Sequence, residues 1–170
     1  TGSNRRAEFY YKLLTLPPVE VKKSKLLVIG GKNVTELFIA WLYGFKWANI
    51  FAIDLYSLHP KIQIMSMEEM QYNDSEFDCI SMANVYGYND DPLPAFLEIV
   101  RVLKPNGYFS FNSVFQPKGK TKSYRTTSNA LIKIFDKLDL RVVFHDQYVN
   151  EVGGTRDIWL LKKIQILDDV

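Results

Sequence analysis

The feature that most restricts the fold is a change of hydrophobic period across two glycines near the start of the chain. Lys25-Leu26-Leu27-Val28-Ile29 is an apolar run of strand length, Gly30-Gly31 ends it, and Phe38, Trp41, Leu42 and Phe45 then recur at helical spacing, with Gly44 near the end. Such a run reads as a buried strand, and strand, glycine turn and helix in this order form half of a βαβ unit. The alternation continues. Asn49 to Ile53 is a second strand closed by Asp54, Lys61 to Met65 a third, and Phe77 to Ala83 a fourth. Asp91-Pro92 caps a helix striped by Phe96, Ile99, Val100 and Leu103, Pro105-Asn106-Gly107 turns the chain, and Tyr108 to Val114 is a fifth strand. A further helix carries Leu131, Ile134, Phe135 and Leu138 on one face, and Arg141 to Val149 and Asp157 to Ile164 flank Gly153-Gly154 as a hairpin. This order predicts an α/β fold: a mostly parallel sheet with helices on both faces and an antiparallel edge at the C-terminal pair of strands.

A chain of 170 residues suits one domain, 1–170, with an N-terminal lead at 1–20 and a core at 25–165. Lys and Arg number 21 against 19 Asp and Glu, a balance that gives no reason to expect nucleic acid or an anionic membrane as a partner. The lone cysteine, Cys79, lies among apolar residues and reads as a small core hydrophobe, which suits a reducing, cytoplasmic setting. No apolar run approaches the roughly 20 residues of a membrane span. His59, His145 and Cys79 have no metal-ligand spacing, so no metal is expected. Gln116 to Arg125, with Lys118, Lys120, Lys122 and Arg125 among small polar residues, reads as a mobile loop, either merely solvated or a substrate lid.

In an open parallel sheet, ligands bind beyond the carboxyl ends of the strands, where the strand order reverses. That singles out Gly30-Gly31, Asp54, Ser66-Met67 and the segment Asn84 to Asp91. A glycine turn lets backbone approach a ligand, and a carboxylate after the next strand can accept both hydroxyl protons of a ribose. Asp54 equally suits a strand-end turn. Asn33 and Glu36 have the spacing of a helix capping box, while Glu36 could also face a ligand.

The stretch Ser66-Met67-Glu68-Glu69-Met70-Gln71-Tyr72-Asn73-Asp74-Ser75-Glu76-Phe77-Asp78 resembles, without a gap, the pattern DAEDLPFPDNSFD of class I (Rossmann-like) S-adenosylmethionine-dependent methyltransferases. The likeness is to their small-molecule and sugar branch. Asp91-Pro92 followed by Phe96-Leu97-Glu98-Ile99-Val100-Arg101-Val102-Leu103-Lys104-Pro105-Asn106-Gly107 is similar to that branch's DPxxxLxEIxRVLKPGG. The resemblance covers roughly half the chain and implies a three-layer Rossmann-like sheet with S-adenosyl-L-methionine as cofactor. It places Gly30 and Gly31 at the methionine part, Glu36 at its amino group, Asp54 at the ribose, Leu55 over the adenine, Ser66 and the Met67 backbone at the adenine edge, and Asn84 and Val85 below the sulfonium. It implies a small-molecule or sugar acceptor and leaves room for a homodimer or a protein partner. Departures are plain: Val28 replaces the strand acid of the family's glycine motif, and Lys32 and Val34 replace its later glycines. A bacterial sub-branch with a Gly-Pro-Arg-x-x-x-Glu-Leu turn resembles Gly30 to Leu37 more closely. Between Asp54 and Lys61 only six residues remain, too few for a crossover helix. For proton removal from an acceptor, Tyr86, Asp90 and His145 are the candidates, with Tyr88 and Tyr124 beside them. Two functions follow: a methyltransferase, or a methyltransferase-like domain that has lost catalysis and serves as a binding or assembly module.

Overall fold

The structure, a computed structural model, describes residues 4–116, 118–149 and 154–165. The elements run α1 (Asn4–Thr15), β1 (Leu26–Ile29), α2 (Val34–Leu42), β2 (Ile50–Asp54), β3 (Ile62–Ile64), β4 (Phe77–Met82), α3 (Pro92–Val102), β5 (Leu103–Phe115), α4 (Lys122–Arg125), α5 (Ser128–Lys137), β6 (Leu140–Val149) and β7 (Thr155–Lys163). Short 3-10 turns occupy Trp47–Asn49 and Tyr86–Tyr88. Gly153 of the expected hairpin loop lies outside the described residues.

One seven-stranded sheet has the order β3-β2-β1-β4-β5-β7-β6. The first five strands in that order pair in parallel, while β7 runs antiparallel to both β5 and β6. The terminal pair thus forms the antiparallel edge region, with β7 inserted one position inward and β6 outermost. The sequence moves outward from β1 to β3 and returns at β4, so the reversal of strand order lies between β1 and β4.

Alternation along the strands divides the core in two. Leu27, Ile29, Ile80, Met82, Phe109, Phe111 and Trp159 face Phe96 and Ile99 of α3 and Leu131 and Phe135 of α5. Leu26, Val28, Ile50, Ala52, Cys79 and Leu160 face Tyr11 and Leu14 of α1 and Leu37 and Ala40 of α2. Burial pushes the Cys79 thiol up to about 12, which makes it an inert core residue. The lead at 1–20 is therefore more than a lead: α1 closes this second core.

Helix ends follow the local chemistry. Asp91 caps α3 by accepting from the Leu93 amide at 3.0 Å, with Pro92 at the first helical position. Within α3, Glu98 accepts from the Met70 amide at 2.7 Å, while Arg101 bonds Glu98, Asp74 and the carbonyls of Met70 and Tyr72. This clasp fixes the segment between β3 and β4, which explains why the two matched sequence stretches belong together. The predicted stripe on α2 is turned around: Leu37 and Ala40 are buried, while Phe38, Trp41 and Leu42 are exposed. The helix is apolar on every side but one, so periodicity could not choose its inner face.

Candidate functional site

A cleft of about 580 Å³ opens at the carboxyl ends of β1, β2 and β4. Gly30, Lys32, Glu36, Asp54, Leu55, Met67, Asn84 and Val85 line it, together with Tyr56, Tyr88 and Asn89. Gly30 makes the turn at φ +75°, its amide donating to the Ile53 carbonyl at 2.8 Å. A Cβ placed on Gly30 would lie 2.2 Å from Cγ1 of Val85, so only glycine fits beneath the loop that follows β4. Gly31 is buried against Val28 and Ala52 and does not face the cleft. Asn84 holds φ +60° after β4, and its amide donates to Oδ1 of Asn112 on β5 at 2.7 Å.

Two carboxylates share the cleft. Asp54 accepts from the Tyr56 amide at 3.0 Å through Oδ1, the strand-end turn that its position suggests, while the residue still lines the opening. Asn33 caps α2 by accepting from the Thr35 amide at 3.0 Å, so the cap is made and the Glu36 side chain turns to the cleft. Burial, reinforced by the negative charge of Asp54, raises the Glu36 carboxyl to about 7. Lys32 lies at the exposed rim. Ser66 is not part of the lining: its Oγ accepts from the Glu68 amide at 3.2 Å, and the wall is made by Met65 and Met67 on either side.

The proton-transfer candidates lie apart. The ring of Tyr86 is buried against Phe96 and Phe111, and burial pushes its phenol above the ordinary range, leaving it neutral at pH 7. Asp90 is exposed, and its carbonyl accepts from the Lys122 amide at 2.9 Å. His145 stacks on Trp159 at 3.7 Å and bonds through Nε2 to Oδ1 of the buried Asp157 at 2.7 Å. The same Asp157 oxygen accepts from Ser128 and Gln147, so the group ties β6, β7 and the start of α5 together. Met82, Phe111, Trp159 and His145 lie in register across β4, β5, β7 and β6. Three strand spacings of roughly 4.8 Å put His145 about 14 Å to the side of the end of β4, out of direct reach. Tyr88 alone of this group lines the cleft.

The basic loop is pinned over the same end of the sheet. The Gln116 amide bonds the Tyr124 carbonyl at 2.7 Å, Thr121 Oγ1 donates to the Gly87 carbonyl at 3.1 Å, and Lys122 pairs with Asp91. Tyr124 fills the space above two glycines: a Cβ on Gly87 would meet its ring at 2.2 Å, and one on Gly119 its Cβ at 2.3 Å. The loop is therefore fastened to the segment that follows β4. Asn112 and Asp157 have no counterpart among the sequence candidates, because their roles come from contacts between distant elements that leave no local signal.

Residues 38–111, under half of the chain, match the family model described as a methyltransferase domain. No curated protein sequence matches the chain. Among solved structures, a protein of Galdieria sulphuraria described as a candidate sarcosine dimethylglycine methyltransferase superposes with a TM-score of 0.76 at 15% identity, covering 94% of this chain and 86% of that one. The fold is that of the class I methyltransferases. Geranyl diphosphate methyltransferase in complex with S-adenosylmethionine gives 0.74 at 12% identity, with 95% and 85% covered. A methyltransferase-type protein of Haloferax volcanii, solved with the Trm112 methyltransferase activator, gives 0.70 at 14% identity, with 99% and 94% covered. The matched family segment spans the two motif stretches and the end of β4. The family match and the fold point to the same methyltransferase-like architecture. Among the described residues, no group of three His, Cys, Asp or Glu side chains is placed to hold a metal ion, and no helix is long and apolar enough to cross a membrane.

Proposed function

We propose that the chain, as one methyltransferase-like domain, binds S-adenosylmethionine in the cleft between β1, β2 and β4 and transfers its methyl group to a small molecule or sugar. The observation that carries this reading is the pairing of Glu36 and Asp54 in a cleft whose glycine turn at Gly30 admits no side chain. The volume suits a nucleoside-sized ligand, and two acids suit a cationic one. Asp54 would hold the ribose hydroxyls with the carboxylate capacity left beyond the Tyr56 amide. Glu36 would take the amino group, Leu55 would cover the adenine, and the backbone at Met67 would meet its edge.

The cofactor supplies an electrophilic methyl on a sulfonium cation. Catalysis then needs the acceptor held in line at close range, more than it needs covalent help from side chains. Tyr88 and Asn89 at the cleft mouth, with the basic loop fastened beside them through Gly87, Asp90 and Asp91, would do that positioning. Like the Haloferax volcanii relative in fold, the protein could work with a protein activator.

A non-catalytic binding module is the second reading, favoured by Lys32 and Val34 in place of glycines and by the distance of His145 from the cleft. Calorimetric titration with S-adenosylmethionine and S-adenosylhomocysteine decides between them. Binding of both is expected, and silence up to millimolar ligand would leave the module reading standing.

A further inference from the structure

Helix α2 presents an uncovered apolar face. Phe38 and Trp41 are each about half exposed and Leu42 is 73% exposed; Phe38 stands one turn from each of the other two, while Leu37 and Ala40 are buried. The face is continuous with the next element: Phe38 meets Trp41 at 6.4 Å and Trp47 at 5.1 Å between ring centroids. From aromatic side chains of 150–250 Å², Phe38 and Trp41 alone leave about 200 Å² open, and Leu42 brings the patch to roughly 300 Å², the range of the largest apolar patch on a typical monomer, which is often functional. A helix apolar on both faces belongs in an interior. The gap has a cause in the chain: the link from β2 to β3 forms only a turn, so no crossover helix flanks α2 there, and Leu58 in that link is 89% exposed.

Two lysines flank the patch at Trp47. Lys46 stands exposed beside Trp47, and Lys61 sits over the Trp47 ring at 5.8 Å. The single acid of α2, Glu36, is turned away into the cleft. A second copy of the chain in a two-fold contact would use this same patch on both subunits and so set one lysine-flanked surface against another. We propose that this face docks one helix of another protein, with an apolar stripe flanked by aspartate or glutamate, in the place that a β2–β3 crossover helix would fill.

The test uses the whole chain and two labelled 20-residue helical peptides of identical leucine stripe, one flanked by glutamates and one by lysines, read by fluorescence anisotropy. The glutamate peptide should bind at least about tenfold more tightly than its lysine counterpart, and Leu42→Glu should weaken it about tenfold with an unchanged circular-dichroism melt. Leu42 is exposed, so this variant leaves the core intact. Equal binding of the two peptides, or none at about 1 mM, overturns the proposal. So does a dimer in light scattering that Leu42→Glu dissolves, since the occupant would then be a second copy. Titration of S-adenosylhomocysteine into Leu42→Glu reports on the cleft separately and should be unchanged.

Discussion

Replacing Glu36 by Gln should abolish a pH dependence that the cleft builds into both stability and binding. The Glu36 carboxyl stands at about 7 in the folded chain against an ordinary 4.5, chiefly through burial and secondarily through the charge of Asp54. The folded state therefore holds its proton more tightly than the unfolded one. Its contribution to stability is complete below pH 4.5 and is lost as the pH rises through about 7. The difference corresponds to at most about 3 kcal/mol, and screening of this half-buried group lowers that to about 2 kcal/mol. Urea denaturation at pH 5 and pH 8.5 should show wild-type protein losing about 2 kcal/mol relative to Glu36→Gln. Binding gives the sharper measurement. If the ammonium of S-adenosylhomocysteine meets Glu36 and restores an ordinary carboxylate, about 0.9 proton leaves per ligand at pH 6 and almost none at pH 8.5. Calorimetry in buffers of different ionisation heat counts those protons. Parallel stability curves for the two proteins would refute the desolvation argument, and tight binding at pH 6 without proton release would refute the contact.

Asp54→Asn keeps an oxygen for the Tyr56 amide but removes the charge, so S-adenosylhomocysteine affinity should fall about tenfold with an unchanged melting temperature, as read by calorimetry and thermal denaturation. Tyr124→Ala empties the space over Gly87 and Gly119 and should cost about 1–2 kcal/mol locally. Trypsin should then cut after Lys118 and Lys120 well before global unfolding, whereas wild-type protein resists. Asp157→Asn weakens an acceptor shared by Ser128, His145 and Gln147 and should cost about 1–3 kcal/mol in denaturant titration, leaving S-adenosylhomocysteine affinity as in wild type. His145→Ala should retain methyl transfer within about threefold, because the ring stands three strands from the end of β4.

What the sequence determined by itself was whatever depends on neighbours along the chain. Period and punctuation gave the strands, the helix capped by Asp91-Pro92, the parallel sheet with its antiparallel edge pair, and the turn at Gly30. The short link after Asp54 foretold the missing helix, since six residues are too few to hold a crossover helix even though β2 and β3 still pair in parallel. Tertiary structure decided what depends on direction and on distant partners. Both faces of α2 are apolar, so only packing could show that Leu37 goes in and Phe38 stays out. Glu36 matched a cap and a ligand contact equally well in sequence; Asn33 capping alone freed it for the cleft. Ser66 stood at the expected place in the motif, yet the Glu68 amide took its hydroxyl. His145 looked available until the strand order set β6 at the edge, far from the glycine turn that the sequence had marked from the outset.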